Sequence, residues 1–214
     1  MSIKTTETTS QALPPAEFVA GNHFDKYQSA NRIHQWLMKG FLESAVELLD
    51  LASPESIVEA GCGPGDLASH LLAHARRNFS YAGIDLSEEQ VSLARQTLPD
   101  RDFLTASIYE LPFEDESADM TLACEVLEHV DQPRVAIDEL ARVTRRWALV
   151  SVPWEPVWRI LNFCRGKYLA SLGNTPGHVQ NFTRSRIRDL LVTRFDVIEE
   201  RRPLPWTMFL LKKR

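Results

Sequence analysis

The residues best suited to chemistry lie between Val58 and Asp66, in the order Val-Glu-Ala-Gly-Cys-Gly-Pro-Gly-Asp. Gly61 allows a tight turn, and Gly63 lets a ligand approach the backbone with no Cβ in the way. The unpaired N–H groups of a helix starting just behind them favour a negatively charged or polar ligand group. The spacing is G-x-G-x-G, because Asp66 stands where a dinucleotide loop would carry its third glycine, and a carboxylate there repels a pyrophosphate. Asp66 and Glu59 suit an ammonium group instead. Asp85 closes the run Tyr81-Ala-Gly-Ile84, where an acid at the end of a second strand accepts hydrogen bonds from sugar hydroxyls. Together these residues ask for an adenosyl ligand that carries a cation and no phosphates.

Two histidines are candidate bases. His178 follows the turn-forming run Gly173-Asn-Thr-Pro-Gly177, and an imidazole titrates near neutrality, as a base for a phenol, hydroxyl or amine should. The plainer reading is a loop histidine bonded to backbone or solvent. His129 is the second candidate. With Glu125 and Glu128 it sits three and four positions along one side of any helical turn, a donor set that could hold a divalent metal. A structural or ligand-side role needs no metal, and metal-free is the reading adopted. Cys62 lies inside the glycine loop, where a small side chain suffices.

The elements that must position these groups alternate. Ser56–Ala60 reads as a strand, residues 66–76 as a helix and residues 79–85 as a second strand. Ser87-Glu-Glu-Gln90 is a capping box opening a helix that ends before Pro99. Residues 101–105 make a short strand, Ala118–Cys124 a fourth, and Gln132-Pro133 starts a helix with Val135, Ile137, Leu140, Ala141 and Val143 inward. Residues 147–152 are a fifth strand. Thr183 caps a helix reaching about Thr193, residues 195–199 form a sixth strand and residues 206–211 the last. This cadence indicates a mainly parallel sheet in an α/β domain. Upstream, Ile33, Leu37, Phe41, Ala45 and Leu48 recur at helical intervals, joined by Trp36, Val46 and Leu49, until Ser53-Pro54 stops them.

Three segments, residues 59–65 (Glu-Ala-Gly-Cys-Gly-Pro-Gly), 83–87 (Gly-Ile-Asp-Leu-Ser) and 125–130 (Glu-Val-Leu-Glu-His-Val), resemble the glycine loop, ribose acid and fourth-strand motif of class I S-adenosylmethionine-dependent methyltransferases. The similarity is greatest to the small-molecule branch that includes ubiquinone-biosynthesis enzymes. It covers residues 55–152 well and the flanks weakly. The resemblance implies a Rossmann-like, doubly wound, mostly parallel seven-stranded sheet with an antiparallel final strand at or near its edge. It implies S-adenosylmethionine as methyl donor, bound by Tyr27, Glu59, Gly61, Gly63, Asp85, Leu86, Ser107, Ile108 and Cys124. Many relatives carry an acid where Ser107 stands, and a serine hydroxyl can still accept the adenine N6 hydrogen bond. On this reading residues 1–20 are a disordered leader and 21–214 one domain: a helical cap at 21–53, a cofactor-binding core at 54–152, a substrate lid at 153–182 and a final helix and strands at 183–214. Catalysis of methyl transfer is mostly positioning, with His178 or His129 available for a proton. The rival readings are a nicotinamide-dependent oxidoreductase, against which Asp66 argues, and a donor-binding scaffold without turnover.

Composition bounds the rest. A chain of 214 residues with 25% charged side chains fits one ordinary globular domain. No apolar run approaches a membrane span, the first ten residues lack a secretory pattern, and Cys62, Cys124 and Cys164 form no C-x-x-C pair; together these point to a reducing cytoplasm. The net charge of −5 divides unevenly: residues 1–140 carry 9 Lys/Arg against 24 Asp/Glu, and residues 141–214 carry 15 against 5. Four tryptophans share the basic part. The plainer account is a solvated basic face, and the sharper one a surface for an anionic or amphipathic small-molecule acceptor or for anionic lipid. Nothing resembles a nucleic-acid module.

Overall fold

The computed structural model describes residues 32–155, 157 and 179–214. The strands β1 (Ser56–Ala60), β2 (Ser80–Asp85), β3 (Asp102–Thr105), β4 (Ala118–Cys124), β5 (Thr144–Pro153), β6 (Phe195–Arg201) and β7 (Trp206–Lys213) form one sheet in the order β3-β2-β1-β4-β5-β7-β6. β1 runs parallel to β2 and β4, β2 to β3, and β4 to β5. β7 is antiparallel to both β5 and β6. The doubly wound, mostly parallel sheet expected from the resemblance is therefore present. The strand order reverses between β1 and β4, so a crevice opens at the carboxyl ends of those two strands.

Helices α1 (Arg32–Ala52), α2 (Asp66–His74), α3 (Glu88–Thr97), α4 (Pro133–Val143) and α5 (Arg184–Leu191) cover the two faces. Their starts follow local chemistry. The Ser87 hydroxyl accepts the Gln90 N–H at 3.4 Å, and the Thr183 hydroxyl accepts that of Arg186 at 3.3 Å. Pro133 occupies the first turn of α4, where its missing N–H costs nothing. Side chains alternate across the sheet. Met208 and Leu210 of β7 join Phe41, Leu48 and Leu49 of α1 and Leu71 of α2 in one core. Phe209 and Leu211 join Ile137 and Leu140 of α4 and Ile187 and Leu191 of α5 in the other.

Three details differ from the periodicity. β5 starts at Thr144, three residues earlier than expected, because Thr144 pairs with Ala118 at the start of β4 before a register shift. Val135 is 43% exposed and Ala136 takes its inward place, as the buried seam of α4 runs 136, 137, 140, 141, 143. Ile33 and Trp36 face outward because the α1 seam begins only at Met38. β7 lies one strand inside the edge; β6, with only Phe195 buried, forms the rim. Among the described residues, no helix is long and apolar enough to cross a membrane.

Candidate functional site

The glycine loop is held from beneath by β2. The N–H groups of Gly61 and Cys62 both donate to the Ile84 carbonyl, at 2.7 and 2.9 Å. Asp85 then divides its carboxylate between two turns, one oxygen accepting the Gly63 N–H at 3.0 Å and the other the Ser87 N–H at 2.9 Å. Each oxygen keeps a further lone pair for a ligand hydroxyl, so the acid fixes the loop while staying able to accept more. Gly61 has φ 76, and a Cβ there would come within 2.4 Å of a Val126 methyl, so only glycine fits the passage between the loop and the end of β4. Leu86, next to Asp85, is 50% exposed, an apolar surface suited to a flat ring.

Glu59 lies beneath this loop, only 2% exposed, and accepts a hydrogen bond from the Tyr81 hydroxyl. Burial pushes its carboxyl up to about 8; the Tyr81 bond opposes that and nearby Asp85 adds to it. The same desolvation, with Glu59 beside them, raises Tyr81 well above its ordinary value and drives the Cys62 and Cys124 thiols strongly upward. Burial thus favours the neutral carboxyl near pH 7.

The opposite wall is the end of β4. Cys124 is buried, and Glu125 follows it at φ 61, a left-handed conformation uncommon for a side chain other than glycine. That backbone turns the Glu125 carboxylate toward Trp206, whose indole N–H donates to it at 2.6 Å. Trp206 is fixed in turn by an edge contact with Phe41 at 5.0 Å. Beyond Glu125, residues Leu127–His129 form a short 3-10 turn. Glu128 is buried, with the His129 Nε2 at 4.0 Å. The turn does not bring Glu125, Glu128 and His129 together, and among the described residues no three His, Cys, Asp or Glu side chains are grouped to hold a metal ion.

On the adenine side expected from the resemblance, the Ala106 N–H donates to the Asp85 carbonyl at 3.0 Å. The Ser107 hydroxyl accepts the Tyr109 N–H at 3.2 Å, keeping its own proton and a second lone pair. Ile108 packs into the apolar core on the α4 side, 8% exposed. Thus Glu59, Gly61, Gly63, Asp85, Leu86, Ser107 and Cys124 meet at one end of the sheet. Tyr27, His178 and most of the 153–182 segment lie outside the described residues. The described ends of that segment are tied to the same place: Val179 and Gln180 donate to the Glu128 carbonyl at 2.9 and 3.0 Å, and Glu155 to that of Phe182 at 3.2 Å. The Glu125–Trp206 pair is the feature that motif reading missed. Its only advance signal was Trp206 at the start of a strand, 81 positions away.

Comparison with known proteins fits this geometry. Residues 58–151 match a family model described as a methyltransferase domain. A demethylmenaquinone methyltransferase of Porphyromonas gingivalis is 24% identical over 153 residues, covering 64% of this chain and 61% of the relative. An O-methyltransferase of Aspergillus nomiae is 34% identical over 106 residues, covering 46% of each chain. The curated relatives are longer: the chain spans 33% of one and 61% of another. Magnesium protoporphyrin IX methyltransferase from Synechocystis, solved with bound SAH, shares the fold at a TM-score of 0.68 and 18% identity, covering 88% of this chain and 91% of that one.

Proposed function

We propose that this chain, whose residues 58–151 are a methyltransferase domain of the class I, S-adenosylmethionine-dependent type, moves a methyl group from that donor to a small-molecule acceptor. The observation that carries the reading is the Asp85 clamp: one carboxylate fixes the glycine loop and the start of α3, with acceptor capacity left for ribose hydroxyls. Leu86 and Ser107 would flank the adenine, with Ile108 behind them. Glu59, beneath the loop, would face the donor's ammonium group. Cys124 would line the floor at the β4 end. Tyr27 is proposed to close over the donor.

The donor supplies a sulfonium methyl that an acceptor nucleophile displaces in line. What the chain must add is alignment, exclusion of water and an outlet for one proton. Residues 153–182 would shape the acceptor side, and His178 or His129 would take the proton. The basic, tryptophan-rich last third supports an acceptor that is anionic or amphipathic. Asp66 weighs against a nicotinamide cofactor, since it would meet a pyrophosphate at the start of α2.

The test is calorimetric titration of the purified protein with S-adenosylmethionine, S-adenosylhomocysteine and NAD. Binding of the first two without the third is expected. Binding of NAD alone would mean that the loop had been misread, and the reaction class with it. Donor binding with no turnover across oxygen, nitrogen, carbon and sulfur acceptors would favour a scaffold.

A further inference from the structure

α5 begins against the usual electrostatic preference. The first turn of a helix favours carboxylates, because the unpaired N–H groups give it a partial positive charge. The first turn of α5 contains no acidic residue, and Arg184 and Arg186 stand in it. Arg186 finds a neutral partner, the Gln180 amide oxygen at 3.1 Å, and lies over the Phe182 ring. Arg184 is more telling. Its guanidinium lies 3.6 Å from the centre of the Trp154 ring, and its Nε donates to the Thr207 hydroxyl at 3.4 Å.

Among the described residues no carboxylate pairs with Arg184. The neighbouring acid, Glu200, is occupied: one oxygen is held by Arg188 at 3.3 Å and the other by Arg202 at 2.8 Å. Desolvation and the nearby Arg202 lower the Arg184 pKa below its ordinary value, with Glu200 opposing them. The charge is therefore held in place by an aromatic face and a hydroxyl, with its terminal N–H groups uncommitted among the described residues. A guanidinium stacked on a ring and fixed at Nε presents the planar fork that matches a carboxylate or a phosphate.

The position of this fork matters. Trp154 directly follows β5, and Thr207 pairs with Val152 near the end of that strand. β5 lies beside β4, whose end carries Cys124 and Glu125. Trp206, the residue before Thr207, donates its indole N–H to Glu125. Arg184 thus stands at the same end of the sheet as the proposed methyl-transfer site, on its α5 side.

We propose that Arg184, stacked on Trp154, is the recognition group for an oxyanion, a carboxylate or phosphate, carried by the methyl acceptor. This rests on the methyltransferase reading. The oxyanion would anchor the acceptor at the rim and leave its nucleophile to reach inward, which makes Arg184 a specificity determinant and gives it no part in bond making. It also accounts for the two arginines in a helix start: a bound anion would offset both them and the helix dipole.

The test uses protein saturated with S-adenosylhomocysteine, titrated by calorimetry with benzoate, phenyl phosphate and benzyl alcohol. The two anions are expected to bind in the millimolar range, with the tighter one identifying the oxyanion. Arg184→Met should weaken that binding at least tenfold, Arg184→Lys should give an intermediate loss, and benzyl alcohol should be unaffected by either. Arg214→Met removes a cation elsewhere, one paired with Asp196 at 2.8 Å, and controls for net charge. Unchanged anion binding in Arg184→Met, an equal loss in Arg214→Met, or no anion binding to the parent protein would each overturn the proposal. Retained S-adenosylhomocysteine affinity in Arg184→Met and Arg184→Lys shows that both have folded. Absence of that affinity in the parent protein would instead strike at the methyltransferase reading.

Discussion

Replacing Glu59 with glutamine should change how stability depends on pH, and the size follows from burial. The folded protein holds this carboxyl at about 8 against an ordinary 4.5, because the charged form is desolvated beneath the glycine loop. Below pH 4.5 both the folded and unfolded chains keep the proton, and the site contributes its full stability. Between 4.5 and 8 the unfolded chain releases the proton while the folded chain retains it, so stability falls by about 1.4 kcal/mol per pH unit. At pH 7 the accumulated loss is about 3 kcal/mol, and above about pH 8 the curve flattens. The glutamine side chain would keep an oxygen for the Tyr81 hydroxyl and have nothing to titrate. Urea unfolding of both proteins at half-unit steps from about pH 4.5 to 8.5 measures the difference directly. The variant should gain on the parent by about 3 kcal/mol between pH 4.5 and 7. Parallel profiles would refute the buried neutral acid. The same logic extends to the donor: an arriving ammonium favours the carboxylate, so donor binding at pH 7 should release about 0.9 proton per site. Calorimetry in buffers of different ionisation enthalpy reads that number, and Glu59→Gln should abolish it.

Three further outcomes follow from single contacts. Asp85→Asn should weaken S-adenosylhomocysteine binding about 10- to 100-fold in calorimetry, since a neutral amide offers one acceptor oxygen where two now clamp the loop; equal affinity would remove Asp85 from the ribose site. Gly61→Ala should cost about 3 kcal/mol in urea unfolding, combining a left-handed φ with the approach to Val126. Adding Val126→Ala should recover the steric part and leave the backbone part. Trp206→Phe keeps an aromatic ring against Phe41 but removes the donor to Glu125, and should lower stability by about 2 kcal/mol, or about 6 °C in Tm; a smaller fall in Glu125→Gln, whose amide oxygen can still accept from the indole, would show that the stranded carboxylate is the costly group.

The geometry of the proposed donor half was legible because its contacts are local. Gly61 and Gly63 encode backbone angles, Ser87 encodes a cap through Gln90, and Asp85 reaches the loop through neighbours that β1 and β2 place side by side. Each statement needs only a short stretch of sequence and one strand pairing. Val135 shows where such reading slips: Ile137, Leu140, Ala141 and Val143 are buried as their period requires, but at the first turn only the sheet beneath α4 decides that Ala136, not Val135, is inward. Glu125 was legible as an acid at a strand end but its orientation was not. Nothing near it in sequence says that a left-handed residue will aim it at Trp206, because Trp206 arrives only after β7 has inserted between β5 and β6. Arg184 is the same kind of case, a cation whose meaning depends on Trp154, Thr207 and Glu200 from three other strand ends. The proposed acceptor side is thus assembled by non-local pairings at the antiparallel end of the sheet, while the proposed donor side is set by the parallel strands at its centre. Substitutions at the start of β7 should therefore alter acceptor recognition before they touch donor affinity, and Trp206→Phe with unchanged S-adenosylhomocysteine binding is the first place to see that separation.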